Sequence, residues 1–209
     1  MTQIIVAKTR EGLALAADSK GYAFDEQGKM QELSINPLIP LGQKAVLIAG
    51  GDADAVQAGQ NLSQFIKQEG LSLIPEIYAA ALPFLNSEYE KIMRRKCNCL
   101  PVDPIQHIYF ILAGMSDSPE SRFQLHLIWA RKKLPQLDGD EITSAFSVPR
   151  QMGFEYTLGQ LVADGATLEF ILSTIEQEMR RLNKLDPSLA SPPFRFATIY
   201  DDGFKQLQD

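Results

Sequence analysis

The order in which the apolar pattern changes period constrains this chain more than any other feature. Short β-branched runs come first. Two long runs at helical spacing follow, then strands, then two more helical runs, then a closing pair of strands. One sheet cannot easily use two helix pairs separated in this way. Two stacked sheets, each covered on its outer face by one helix pair, can do so. The order therefore predicts an α+β chain folded as a four-layer αββα sandwich. No linker, low-complexity segment or repeat interrupts it, which predicts a single domain over residues 1–209.

The elements read as follows. Ile4-Ile5-Val6-Ala7 and Leu13-Ala14-Leu15-Ala16-Ala17 flank a turn containing Gly12 and predict a β-hairpin. Both strands are apolar on both faces, so their sheet should be covered on both sides. Ser19 to Glu32 is polar and reads as a loop or weak strand. Leu33 to Ile39 is strand-like, limited by Pro37 and Pro40. Ala45 to Ala49 is a buried strand, and Gly50-Gly51-Asp52 a sharp turn into a helix that Asp52 or Asp54 could cap. Val56, Leu62, Phe65 and Ile66 mark that helix. Pro75 opens a second one reaching about Lys96. Strands resume at His107 to Ala113 and Phe123 to Ala130, with a weaker one ending near Ser147. Helices are expected over Tyr156 to Ala163 and Leu168 to Leu185. Phe194 to Tyr200 and Phe204 to Leu207 close the chain around Asp202-Gly203.

Composition narrows the function classes. Of 209 residues, 45% are hydrophobic and 22% charged, and the formal net charge is −6. An acidic chain without a basic run is a poor partner for a phosphate backbone, so no nucleic acid is expected. Arg94-Arg95-Lys96 reads more simply as the cationic end of a helix. No run approaches the roughly 18 apolar residues of a membrane span, and no basic segment precedes the first apolar run. These readings predict a cytoplasmic protein with no membrane partner. Cys97 and Cys99 are one residue apart, and His107 and His126 do not complete a zinc spacing, so neither metal nor cofactor is expected.

The segment from Thr2 to Ser19, with Ala16-Ala17-Asp18-Ser19 at its end, resembles the start of mature proteasome β-subunits and HslV peptidases. In those N-terminal-nucleophile hydrolases a threonine opens the mature chain, and an Ala-Ala-Asp-Ser-Arg motif follows at this spacing. Ala45 to Asp52, with its Ala-Gly-Gly end, and the closing strands from Ala197 to Gly203 are similar as well. The resemblance implies that Thr2 is the nucleophile once Met1 is removed. Its α-amine, with an ordinary pKa near ~7.7, would serve as base through a water. It implies that Asp18 faces Thr2 and holds a lysine, and that backbone N–H groups at Gly50 and Gly51 stabilise an oxyanion. Lys20 stands where the family has arginine.

Other positions depart from the family pattern. The strand lysine falls at Gln31, with Lys29 the nearest replacement. Of a Ser-Gly-Ser-Gly run only Ser147 is kept. The supporting Asp and Ser correspond to Asp186 and Ser191, and Ala190-Ser191-Pro192-Pro193 replaces a small-residue loop. Each residue also has a plainer reading: Asp18 as a turn former, Gly50-Gly51 as a strand-to-helix turn, His126 and Trp129 as packing. Three functions follow as expectations. The first is a threonine peptidase or amide hydrolase acting on a peptide or protein. The second is a catalytically silent assembly subunit, and the third a small-molecule amidase. The resemblance further implies a homo-oligomer, as a ring or stacked assembly.

Overall fold

The computed structural model describes residues 2–24, 29–96, 108–130 and 136–207. Met1, Cys97, Cys99 and His107, for which the sequence raised expectations, lie outside the described residues. Within them the chain is mixed α+β, with four α-helices and three antiparallel sheets.

Strands β1 (Ile4–Lys8) and β2 (Leu13–Asp18) form the expected hairpin. They sit inside a five-stranded sheet with β10 (Ala145–Val148), β11 (Phe194–Tyr200) and β12 (Gly203–Leu207), in the order β10-β1-β2-β11-β12. A second five-stranded sheet runs β5-β6-β7-β8-β9: Leu38–Pro40, Ala45–Gly51, Ile108–Met115, Phe123–Trp129 and Asp138–Glu141. The third sheet is a two-stranded ribbon of β3 (Lys20–Phe24) and β4 (Met30–Ser34).

Strand alternation sorts the side chains into three apolar clusters. On β1, Ile4 and Val6 join a cluster with Val46, Ile48, Tyr109 and Ile111 of the other five-stranded sheet. Ile5 and Ala7 point the opposite way, against Leu158, Ile171, Ile175 and Met179. Those residues belong to α3 (Met152–Ala163) and α4 (Leu168–Leu185). The second sheet divides likewise. Leu47 and Ala49 pack on Leu62, Ile66, Ile77 and Leu85 of α1 (Asp54–Glu69) and α2 (Ile74–Lys96). Both sheets thus bury both faces at their centres, which is why β2, β6 and β7 are apolar nearly throughout.

Four boundaries differ from the sequence reading. The polar stretch after Asp18 forms the β3–β4 ribbon, whose second strand is exposed at every position and so carries no alternation to read. The strand predicted over Leu33 to Ile39 is two strands, because Ile35 to Pro37 cross from the ribbon to the second sheet. Gly50 and Gly51 continue β6 and pair with Tyr109 and Ile108 instead of turning. Helix α3 begins at Met152, four residues early, where Met152 and Tyr156 are 74% and 70% exposed and lend the first turn no inward stripe.

Candidate active site

Thr2 lies just before β1 and is fully buried. Three hydrogen bonds fix it and its neighbour. The Thr2 hydroxyl donates to the Lys20 carbonyl at 2.7 Å, the Thr2 carbonyl accepts from the Tyr109 hydroxyl at 3.1 Å, and the Gln3 N–H donates to Asp18 Oδ1 at 3.0 Å. The hydroxyl is therefore a donor here, which leaves its lone pairs uncommitted.

Asp18 ends β2 and is also fully buried. Its Oδ1 accepts from the N–H groups of Gln3 and Lys20, and its Oδ2 from that of Ser191 at 3.1 Å. Burial raises its carboxyl pKa and the three N–H bonds offset part of that, leaving it at about 6. Strand register explains the convergence. Phe194 of β11 pairs with Asp18, so the chain leading into β11 passes directly beside the carboxylate. Within the run that includes Pro192 and Pro193, it is the Ser191 N–H that reaches Asp18. The Ser191 hydroxyl turns away to the Pro187 carbonyl, and Ser19 Oγ ties the same segment down by donating to the Pro193 carbonyl at 2.8 Å.

Lys20 opens the ribbon, with its ammonium 3.2 Å from Glu32 and 5.8 Å from the Tyr22 ring centroid. Burial opposes its charge, but Glu32 and Tyr22 outweigh that and raise its pKa. A cleft of about 350 Å³ opens here between Lys20, Glu32 and Ser34 on one side and Ser191 and Pro192 on the other.

The remaining candidates lie apart from Thr2. Lys29 is exposed beside Met30, which pairs with Phe24, whereas Lys20 pairs with Ser34. Four pairing steps, roughly 13 Å, separate the two ends of the ribbon. Gln31 is exposed too. Ser147 is buried opposite Ile5, three residues along β1 from Thr2. Its hydroxyl donates to Glu155 Oε1 at 2.6 Å, and its N–H reaches the same oxygen. Asp186 is exposed at the end of α4, where the N–H of Ser188 bonds its carboxylate and holds its pKa down. His126 stacks on Tyr78 at 4.2 Å, and the Trp129 indole donates to Asp140 at 2.9 Å; both are accounted for as packing residues.

Two glycines have a geometric role. A side chain at Gly50 would place Cβ 2.3 Å from the Tyr109 hydroxyl and ring, and Gly51 adopts φ +94°. Gly50 therefore makes room for the phenol that holds Thr2. Tyr109 and Glu155 are the residues that reading the sequence missed. The one available signal for Tyr109 was a glycine at the end of a strand, which often marks close approach.

Among the described residues no three His, Cys, Asp or Glu side chains group as metal ligands, and no helix is long and apolar enough to cross a membrane. Comparison with protein-family models and with curated proteins finds no match to this chain.

Proposed function

We propose that this chain is a proteasome-like N-terminal-nucleophile hydrolase, a four-layer αββα sandwich whose nucleophile is the Thr2 hydroxyl. The observation that carries the reading is the state of Thr2. Thr2 is buried, bonded through its hydroxyl and carbonyl, and set beside a buried carboxylate. Once Met1 is removed, the Thr2 amine takes the hydroxyl proton through a water. The oxygen then adds to a substrate amide carbonyl. Collapse expels the amine leaving group with that proton, and water hydrolyses the resulting ester to restore Thr2. Asp18, anionic above about pH 6, holds Gln3, Lys20 and Ser191 around the site through their N–H groups. The reading extends to a cytoplasmic homo-oligomer acting on a peptide or protein.

A specific observation favours a second reading, the silent assembly subunit. Lys29 stands at the far end of the ribbon, and the Ser147 hydroxyl is committed to Glu155. With neither placed at Thr2 among the described residues, the hydrolase reading relies on the α-amine as its base. The two readings separate in one experiment, in which peptide hydrolysis is compared between chains with Met1 and chains released directly before Thr2. General-base catalysis is worth about 10²–10⁴-fold. The hydrolase reading expects a gain of that order on release, abolished by Thr2→Ala. Equal rates in the two preparations, or a fully active Thr2→Ala chain, would overturn it. Inactivity of both preparations against a broad peptide set would favour the silent subunit.

A further inference from the structure

The hydrogen bond from Tyr109 reaches the Thr2 carbonyl from the other five-stranded sheet. We infer that Tyr109 is a positioning residue for the Thr2 nucleophile, admitted to its place by Gly50; this rests on the reading of Thr2 as nucleophile. Three observations converge on it. The phenol is fully buried in the apolar layer between the sheets, where a hydroxyl without a partner is costly. A carbonyl can only accept, so the phenol must donate. Burial, followed by the nearby Asp18 charge, raises the Tyr109 pKa well above its ordinary value, so it remains a donor at any pH where a hydrolase would work. Finally, Gly50 lies directly opposite Tyr109 in the β6–β7 ladder, and any Cβ there would occupy the space of the phenol.

The bond has two consequences for Thr2. It fixes the carbonyl carbon and hence the rotation of the adjoining Cα, which carries both the amine and the hydroxyl-bearing side chain. A nucleophile held in its attack geometry needs less ordering to react. The bond also draws electron density from the carbonyl, which makes the neighbouring amine a slightly weaker base. Tyr109→Phe removes one oxygen and leaves the ring that fills the core, so it separates these effects from packing.

The experiment uses Met1-free chains and two independent readouts. The first is oxidation by periodate, which cleaves a terminal amino alcohol and is followed by mass. The second is peptide hydrolysis across pH. In Tyr109→Phe, periodate should cleave Thr2 about fivefold to tenfold faster, as expected for loss of one net hydrogen bond. Its kcat should fall by a similar factor with KM unchanged, and the acid limb of its pH profile should move upward. Gly50→Ala, which displaces the phenol from the opposite strand, should reproduce the periodate result. A faster periodate reaction with no hydrolysis by either chain would leave the positioning role standing and remove the hydrolase reading. Equal periodate rates and equal kcat in the folded Tyr109→Phe chain would overturn the inference. A rise in KM alone would do so as well.

Discussion

At the scale of single residues, Asp18 sets a measurable linkage between proton binding and folding. Its carboxyl titrates near 3.8 when solvated and near about 6 when folded. The folded chain holds that proton more tightly, so the contribution to stability is full below pH ~3.8 and is lost as pH rises through about 6. The shift corresponds to about 3 kcal/mol. Asp18→Asn does not titrate. Denaturant titrations should therefore show the stability difference between variant and parent moving in favour of the variant by about 3 kcal/mol from pH 3.5 to pH 7. Parallel curves for the two proteins would refute the assignment. Asparagine also turns an N–H donor toward the Ser191 N–H, so the variant should start from a lower absolute stability.

At the scale of elements, Glu155 joins α3 to the edge strand β10. Its buried carboxylate accepts from the Ser147 N–H and hydroxyl, and from Arg150 at 2.6–3.1 Å. Burial works against its charge, but these partners outweigh that and lower its pKa. Removing it strands the Ser147 N–H inside the protein. Glu155→Ala should cost about 2–4 kcal/mol in urea unfolding, and faster amide exchange should appear first along β10. A loss below about 0.5 kcal/mol would mean the contact is dispensable. Local pattern could not have revealed this staple, because a glutamate on a helix reads as a solvated residue until its helix is placed. The same limit applies to Tyr109, whose hydroxyl meets Thr2 only after two sheets stack. By contrast β1, β2, β6 and β7 were legible, since burial on both faces leaves an uninterrupted apolar run. Strand β9, written Asp-Gly-Asp-Glu, carries no apolar signal; it pairs with β8, and its Glu141 lies 3.7 Å from the Lys8 ammonium of β1. Within the candidate site, the family resemblance singled out Thr2 and Asp18, and the structure places the Asp18 carboxylate against the Gln3 N–H next to Thr2. The part of Ser191 was only half readable, because its backbone and not its side chain makes the contact.

At the scale of the whole molecule, apolar side chains remain on the outside. Met30 and Leu33 on the ribbon are 55% and 40% exposed, and Met152 and Tyr156 lie one turn apart on α3. Under the proposed assembly, light scattering at micromolar concentration should give a multiple of the 23.3 kDa chain mass. A monomer throughout that range would remove the oligomer from the proposal.

The order β10-β1-β2-β11-β12 also fixes a sequence of events in time. The hairpin that carries Thr2 finds its flanking partners only when β10 and β11 emerge from the ribosome, and Ala17 pairs with Arg195. That delay spans roughly 180 residues, on the order of 10–40 s of synthesis. The second sheet, drawn from one continuous stretch of sequence, can pair within that interval. Throughout it Thr2 lacks the β11 and β10 neighbours that enclose it in the folded chain. Under the proposed nucleophile reading, the window for exposing Thr2 would close when the last strands dock, and maturation would be timed by translation.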